Sequence, residues 1–459
     1  MSARSCEGAR GARFLPATRG LRGTVRVPGD KSVSHRAVIL GAVNSGALAV
    51  RGFLRSADTM ATVCAVRALG VEVEEREDGM TVHGRGWEGL VEPADVINVG
   101  NCGTLIRLLP GLVASRDFLC VLNGDASIRR RPMARVLQPL AAMGATVMGR
   151  SADSLPPVAI RGGRLKGMRH ELAVASAQVK SCILLAGLRA DGETMVMEPG
   201  GSRDHTERMI AYGGGRVERE GLADGAGVVR LWPLEALELP ALEVPGDFSS
   251  GAFFLVGALL VPGSEVRIEG VGVNPTRFGL VRVLERMGAD VEVKETDAEG
   301  SEPLGCITAR SSELEATDVG PQEIPGMIDE LPLFLLAAAK AKGTSRVRGA
   351  GELRVKESDR VTAMARLLTG LGVEVVEHAD GIDVVGDPGG WQGCSVEAAG
   401  DHRVAMVGAI AGAASSEGVR VDDVECIGVS YPGFAEALTE LGGPSQVDEP
   451  AVATTRART

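Results

Sequence analysis

The chain repeatedly sets basic and hydroxyl side chains beside helix-start signals. In PGDKSVSHRA (28–37) a Pro-Gly turn leads into a helix start, so free backbone N–H groups and the helix dipole face the same way as Lys31 and Ser32. Arg36, four or five residues on, shares their side of the first turns. Such a grouping suits a phosphate or a carboxylate, although it is not a Walker loop. NCGTLIRLLPG (101–111) offers Gly103 for close backbone approach, the Thr104 hydroxyl and Arg107 one turn later. In GDASIRRRPMARV (124–136), Arg129, Arg130 and Arg131 repel one another; their closeness makes sense when at least one turns into an anion pocket and forks onto its oxygens.

ASAQVKSCILLAGL presents Ser176 and Gln178 ahead of an apolar helix, and PGGSRDHTERM presents Ser202, Arg203 and Asp204 after a glycine turn. A helix cap accounts for Asp204 but leaves Arg203 unassigned. Acid–base candidates lie in the second half: Asp329 and Glu330 before a strongly apolar helix, then Lys356, Glu357, Asp359 and Arg360 within five positions, then Asp401, His402 and Arg403 at another helix entrance. Opposite charges packed this tightly form either a solvated network or a proton-transfer site tuned by its neighbours. Cys102 has no His near it in sequence to activate it as a nucleophile.

Lys31, Arg131, Arg203, Lys356, Arg360 and Arg403 are cations at turns or helix starts in a chain whose formal charge is -11. That contrast argues against a general nucleic-acid surface and for a local cleft specialised for a small polyanion. The eight Cys form no C-x-x-C pair and the six His are sparse, so spacing indicates neither a disulfide framework nor a metal site. No apolar run is long enough to span a membrane.

The elements that must position these groups show an internal repeat. Six segments carry helical apolar periodicity into a Gly stop, and most continue into a strand: TVCAVRALGVEVEE, ARVLQPLAAMGATVMG, TERMIAYGGGRVERE, GLVRVLERMGADVEVKE, AMARLLTGLGVEVVEH and AEALTELGG. The marker glycines are Gly70, Gly144, Gly214, Gly288, Gly372 and Gly442, separated by 70 to 84 residues. Six units in 459 residues suggest three per domain about a pseudo-threefold axis. The Phe-rich stretch PGDFSSGAFFLVGALLVPG reads as a buried helix at the entry to the second domain, so crossings are placed near residues 28 and 246. The expected domains are 1–28 plus 246–444, and 29–245, with 445–459 a flexible tail. The first 20 residues read as a targeting tail or an over-extended start.

PGDKSVSHR, NCGTLIR, GDASIRRRPM, SAQVKS, GSRDHTERM, ELRVKESDR and DHRVAM, in that order, resemble the enolpyruvyl transferase family over residues 20 to 444. The resemblance implies a two-domain inverse α/β barrel-like fold of six βαβαββ units. It implies phosphoenolpyruvate and shikimate 3-phosphate as substrates meeting in an interdomain cleft, addition–elimination at the 5-hydroxyl, release of inorganic phosphate, and no metal or organic cofactor. It places the reaction in the shikimate pathway toward chorismate and the aromatic amino acids, in a cytoplasmic monomer. Carried onto this chain, Lys31, Arg131, Arg360 and Arg403 look like the phosphoenolpyruvate clamp, and Ser32, Arg36, Ser176, Gln178, Arg203, Asp329 and Lys356 like the shikimate phosphate site. Gly103 and Thr104 line the substrates, Gly103 resembling the position where a larger side chain crowds glyphosate. Asp329 and Glu357, with Lys31, carry the catalytic roles. Many members have a Lys before the aromatic-Pro pair near the C-terminus, where this chain has Val429 and Ser430 before Tyr431. Two rivals, a transferase acting on UDP-linked N-acetylglucosamine and a non-catalytic anion-binding repeat protein, fit SRDHTERM, KESDR and the Asp329–Glu357 pairing less well.

Overall fold

The computed structural model describes residues 10–221, 226–296 and 300–447. All six marker glycines lie at positive φ, from 85° to 116°, each just past an amphipathic helix: Ala57–Ala68, Ala134–Met143, His205–Tyr212, Gly279–Arg286, Arg360–Gly370 and Phe434–Glu440. A residue without a Cβ takes that left-handed turn at little cost, and the chain reverses from helix into strand there.

The strands form six small sheets with one repeated order. In the first, Leu242–Glu243 runs parallel to Ala47–Arg51, which pairs antiparallel with Gly79–His83, which pairs antiparallel with Glu72–Arg76. Four others repeat this arrangement. In the remaining three-stranded sheet the parallel partner has shrunk to a bridge between Val319 and Val347. The expected βαβαββ unit is therefore present six times, in a two-lobed α/β fold.

A second set of helices lies inside: Lys31–Ala42, Leu105–Val113 and Ala177–Gly187 in one lobe, Phe248–Leu260, Leu331–Ala338 and His402–Ala414 in the other. They are buried nearly all round, enclosed by sheets and other helices. All thirteen residues of Phe248–Leu260 are buried, and Phe254 packs on Phe434 with ring centroids 5.5 Å apart. One core draws on residues between Ala12 and Val27 and between Phe248 and Leu441, the other on residues between Val33 and Val244.

Where the chain passes between lobes, its two strands hold each other. Asp30 N donates to Pro245 O at 2.7 Å and Asp247 N to Pro28 O at 2.8 Å, around a Gly29–Gly246 bridge. A Cβ at Gly29 would come within 1.9 Å of the Gly52 carbonyl, so the close approach needs glycine. The strand before each crossing stays paired within the lobe that the chain is leaving. Arg22–Val25, before the first crossing, pairs with Glu265–Ile268, whereas Leu242–Glu243, before the second, pairs with Val50–Arg51.

Both expected chain ends require correction. Ala12–Phe14 is a strand inserted between Val419–Val421 and Ser445–Val447, with Ala12 and Phe14 buried. The start is therefore ordered well before residue 20, and residues 445–447 belong to a sheet rather than to a tail. Backbone pairing and two apolar side chains anchor both segments. The remainder of the two expected tails, residues 1–9 and 448–459, lies outside the described residues.

Candidate active site

The N-termini of all six inner helices contribute to one cavity of about 760 Å³ between the lobes. Lys31 and Ser32, Thr104, Ser176 to Gln178, Asp247 and Ser249, Asp329, and His402 and Arg403 line it. Asp30, Ser176, Asp247 and Asp401 cap their helices through their side chains. Six positive dipole ends converging on one space make it attractive to anions before any side chain is counted. Among the described residues, nine Lys or Arg and five Asp or Glu line the cavity, a formal surplus of four positive charges.

Asp329 is the meeting point. Arg203 Nη2 donates to its Oδ2 at 2.7 Å; Lys356 Nζ and Arg360 Nη1 lie 3.7 and 3.5 Å from Oδ1, and Arg403 Nη1 donates to its backbone carbonyl at 2.9 Å. Burial alone would raise this carboxyl, but Lys356, Arg403, Arg203 and Arg360 outweigh it and hold the group well below the usual range. Arg360 also donates from Nη2 to Glu357 at 2.7 Å and from Nε to Asp401 at 2.9 Å. Glu357 is opposed on its other oxygen by Arg131 Nη2 at 3.5 Å. Burial raises it too, and Arg360, Arg131, His402 and Lys356 depress it strongly. Lys356 is shifted down, chiefly by burial, whereas Lys31 is shifted up because Asp58, 3.2 Å away, and Glu357 overcome its burial.

The neutral groups are held in place as well. Gln178 Oε1 accepts from Arg107 Nη1 at 2.6 Å, while its Nε2 donates to Thr104 Oγ1 at 3.1 Å. Gly103 faces Arg131 so closely that a Cβ would lie 2.5 Å from Nη1.

Of the expected site residues, Lys31, Ser32, Gly103, Thr104, Arg131, Ser176, Gln178, Arg203, Asp329, Lys356, Glu357, Arg360 and Arg403 all line this cavity. Arg36 does not. Its guanidinium is turned inward onto Thr206 Oγ1, Ser181 Oγ and the Ser32 carbonyl, so it reaches the cavity only through Ser32. Of the three adjacent arginines, Arg131 is buried in the cleft and Arg130 is exposed. Asp204 is not a side-chain cap; its carboxylate binds Arg208, Arg219, Asn274 and Thr276. Val429, Ser430 and Tyr431 do not line the cavity.

Sequence reasoning missed Asp58, Arg135, Arg277 and Glu352. Arg277 lies buried among Asp30, Asp247 and Glu330 at the base of the cleft. A lone Arg after an Asn-Pro turn gave no signal, because its partners lie far away in sequence. Arg135 meets Glu352 across the cleft at 3.0 and 3.4 Å, with no local cue for either partner.

The fold is shared with solved structures. An enolpyruvyl transferase, NikO from Streptomyces tendae, superposes with a TM-score of 0.75 over 96% of this chain and 99% of its own, at 19% identity, a likeness of fold alone. The architecture is thus the two-lobed one of the enolpyruvyl transferases. The EPSP synthase from Acinetobacter baumannii is 41% identical, with a TM-score of 0.84 over 96% of this chain and all of its own. The family model for EPSP synthase (3-phosphoshikimate 1-carboxyvinyltransferase) matches residues 16–438. Proteins named 3-phosphoshikimate 1-carboxyvinyltransferase from Citrifermentans bemidjiense and Geobacter sulfurreducens are 47% and 48% identical, each over 92% of this chain and 96% and 97% of their own length. The chain belongs to the EPSP synthase family and is a transferase of aromatic biosynthesis, moving the enolpyruvyl group of phosphoenolpyruvate to shikimate 3-phosphate.

Proposed function

We propose that both substrates meet in the cation-lined cavity and react there by addition and elimination at the 5-hydroxyl of shikimate 3-phosphate. The observation that best supports this is the placement of two carboxylates, Asp329 and Glu357, on separate nitrogens of one guanidinium, Arg360. In the addition step the hydroxyl loses its proton and its oxygen bonds to the substituted carbon of phosphoenolpyruvate, while the methylene gains a proton. In the elimination the carbon–oxygen bond to phosphate breaks and the new methyl returns a proton, leaving the enol ether and inorganic phosphate.

Lys31, Arg131, Arg360 and Arg403 hold phosphoenolpyruvate; Ser32, Ser176, Gln178, Arg203, Asp329 and Lys356 hold the shikimate part, beside Gly103 and Thr104. Arg36 acts by fixing Ser32 through its carbonyl. Asp329 and Glu357 exchange the protons. In the free cleft both are strongly depressed by cations, which keeps them ionised. Substrate phosphates and carboxylates compete for those same cations, so binding relaxes the depression and lets either group carry a proton. The cations then stabilise charge on the departing phosphate.

The lobes act as separate domains bounded near residues 28 and 246, closing on the substrates, in a monomer working in the cytoplasm. The two cores with no residue in common support that division. Phosphate release should require both substrates and should be lost when shikimate replaces shikimate 3-phosphate. Equal release with either alcohol would overturn the polyanion site.

A further inference from the structure

Directly behind Lys31, the fold assembles three side chains that are 23 to 67 residues apart in sequence. Cys102 Sγ lies 3.6 Å from His35 Nε2, and one ligand atom each of His35, Asp58 and Cys102 all fall within 4.8 Å of one another. A tetrahedral zinc with ordinary bonds to sulfur and imidazole nitrogen separates those two atoms by about 3.6 Å. His35 Nδ1 is engaged by Thr62 Oγ1 at 2.7 Å, which fixes the ring with Nε2 toward the sulfur, the orienting contact that metal-bound imidazoles require. The Leu105 N–H donates to Cys102 Sγ at 3.3 Å, at the start of a helix, and so favours negative charge on sulfur. Asp58 lines the cavity, which gives a way in from solvent. The mixed sulfur, nitrogen and oxygen donors suit zinc-class ions and not Mg²⁺ or Ca²⁺.

The established reaction makes no use of this thiol. Cys102 and His35 are fully buried, and burial pushes the thiol up to about 12, so it is no nucleophile. We propose that Cys102 Sγ, His35 Nε2 and an Asp58 carboxylate oxygen form a site for a thiophilic divalent cation of the zinc class, filled from the cleft at the expense of the Lys31–Asp58 ion pair. On binding, the thiol releases its proton to solvent and a metal–sulfur bond forms. Asp58 turns from the Lys31 ammonium to the metal, and Lys31 loses the partner that positions it. The site is thus antagonistic to catalysis. That consequence rests on the role proposed above for Lys31, whereas the binding itself does not.

The test titrates chelator-treated full-length protein with Co²⁺ and follows the near-ultraviolet thiolate-to-cobalt absorption, then displaces it with Zn²⁺. Wild type should develop the band; Cys102→Ala should lack it and bind Zn²⁺ more weakly by about tenfold or more, since even an outer-shell partner is worth that much. Cys102 is not among the residues that line the cavity, so Cys102→Ala should turn over normally without metal and should resist Zn²⁺ concentrations that inhibit wild type. Cys102→Ser, which keeps the size of the side chain, serves if the alanine variant does not fold. Absence of the band, or an equal band in the variant, overturns the site. A Cys102-dependent band without inhibition overturns the antagonism with Lys31 and leaves the assignment of that lysine to be judged by its own variants.

Discussion

Arg203 of one lobe and Asp329 of the other meet across the cleft at 2.7 Å, and the carboxylate that Arg203 holds is the one faced by Lys356 and Arg360. A single acid thus neutralises cations from both sides of the cavity. Asp329→Asn should lower kcat by about 100-fold or more, the lower end of what a positioned acid or base contributes. Steady-state kinetics decide it; an unchanged kcat would exclude Asp329 from proton transfer.

Glu357 sits between Arg131 and Arg360. Glu357→Gln preserves the shape but removes the charge, and turnover should drop at least about tenfold while both substrates still bind. Arg131→Ala should instead raise the KM for phosphoenolpyruvate more than it lowers kcat. Isothermal titration alongside kinetics separates the two outcomes.

The space at Gly103 is set by Arg131. Because a Cβ there would stand 2.5 Å from Nη1, Gly103→Ala should push the guanidinium aside. The side chain is long enough to move, so the fold should survive while the KM for phosphoenolpyruvate rises. A KM equal to that of wild type would show that Arg131 accommodates the methyl without losing its substrate.

His35 and His402 are both lowered to about 3, burial being the main cause. The unfolded chain takes up these two protons near pH 6.5 and the native state does not, so stability falls as the pH drops from 6.5 toward 3. The slope is about 1.4 kcal/mol per pH unit for each ring. Asp329 and Glu357, held low in the native state, add to the loss only below about pH 4.5, where their unfolded forms begin to protonate. Between pH 7 and 5 the two rings are opposed only by Asp247, raised to about 6 by burial and Asp30, which takes up a proton in the native state alone; two rings against one carboxyl leave a net fall, read from urea midpoints. A flat profile there would mean that at least one of the rings is protonated in the native protein.

The repeat was legible in the sequence because each unit is announced locally: an amphipathic helix, a glycine that alone accepts the left-handed turn, and a strand. Most of the cleft was legible for a similar reason, since Lys31, Ser176, Asp329 and Arg403 lie at helix starts and those starts all face one space. Arg36 was misread as a cavity residue because helical spacing gives a side chain's face but not whether that face looks outward or into Thr206 and Ser181.

By itself, then, the amino-acid order determined the units and the anion-seeking groups at their mouths, because capping, periodicity and turn chemistry act over a few residues. Only the tertiary structure decided which distant groups meet: Arg277 with Asp30 and Asp247, Arg135 with Glu352, and Cys102 with His35. It also decided that Arg22–Val25 completes the sheet of Glu265–Ile268 and Leu242–Glu243 that of Val50–Arg51, each within its own lobe. These depend on how six similar units pack against one another, and electrostatic and steric partners chosen at that scale leave no trace in the spacing of the chain.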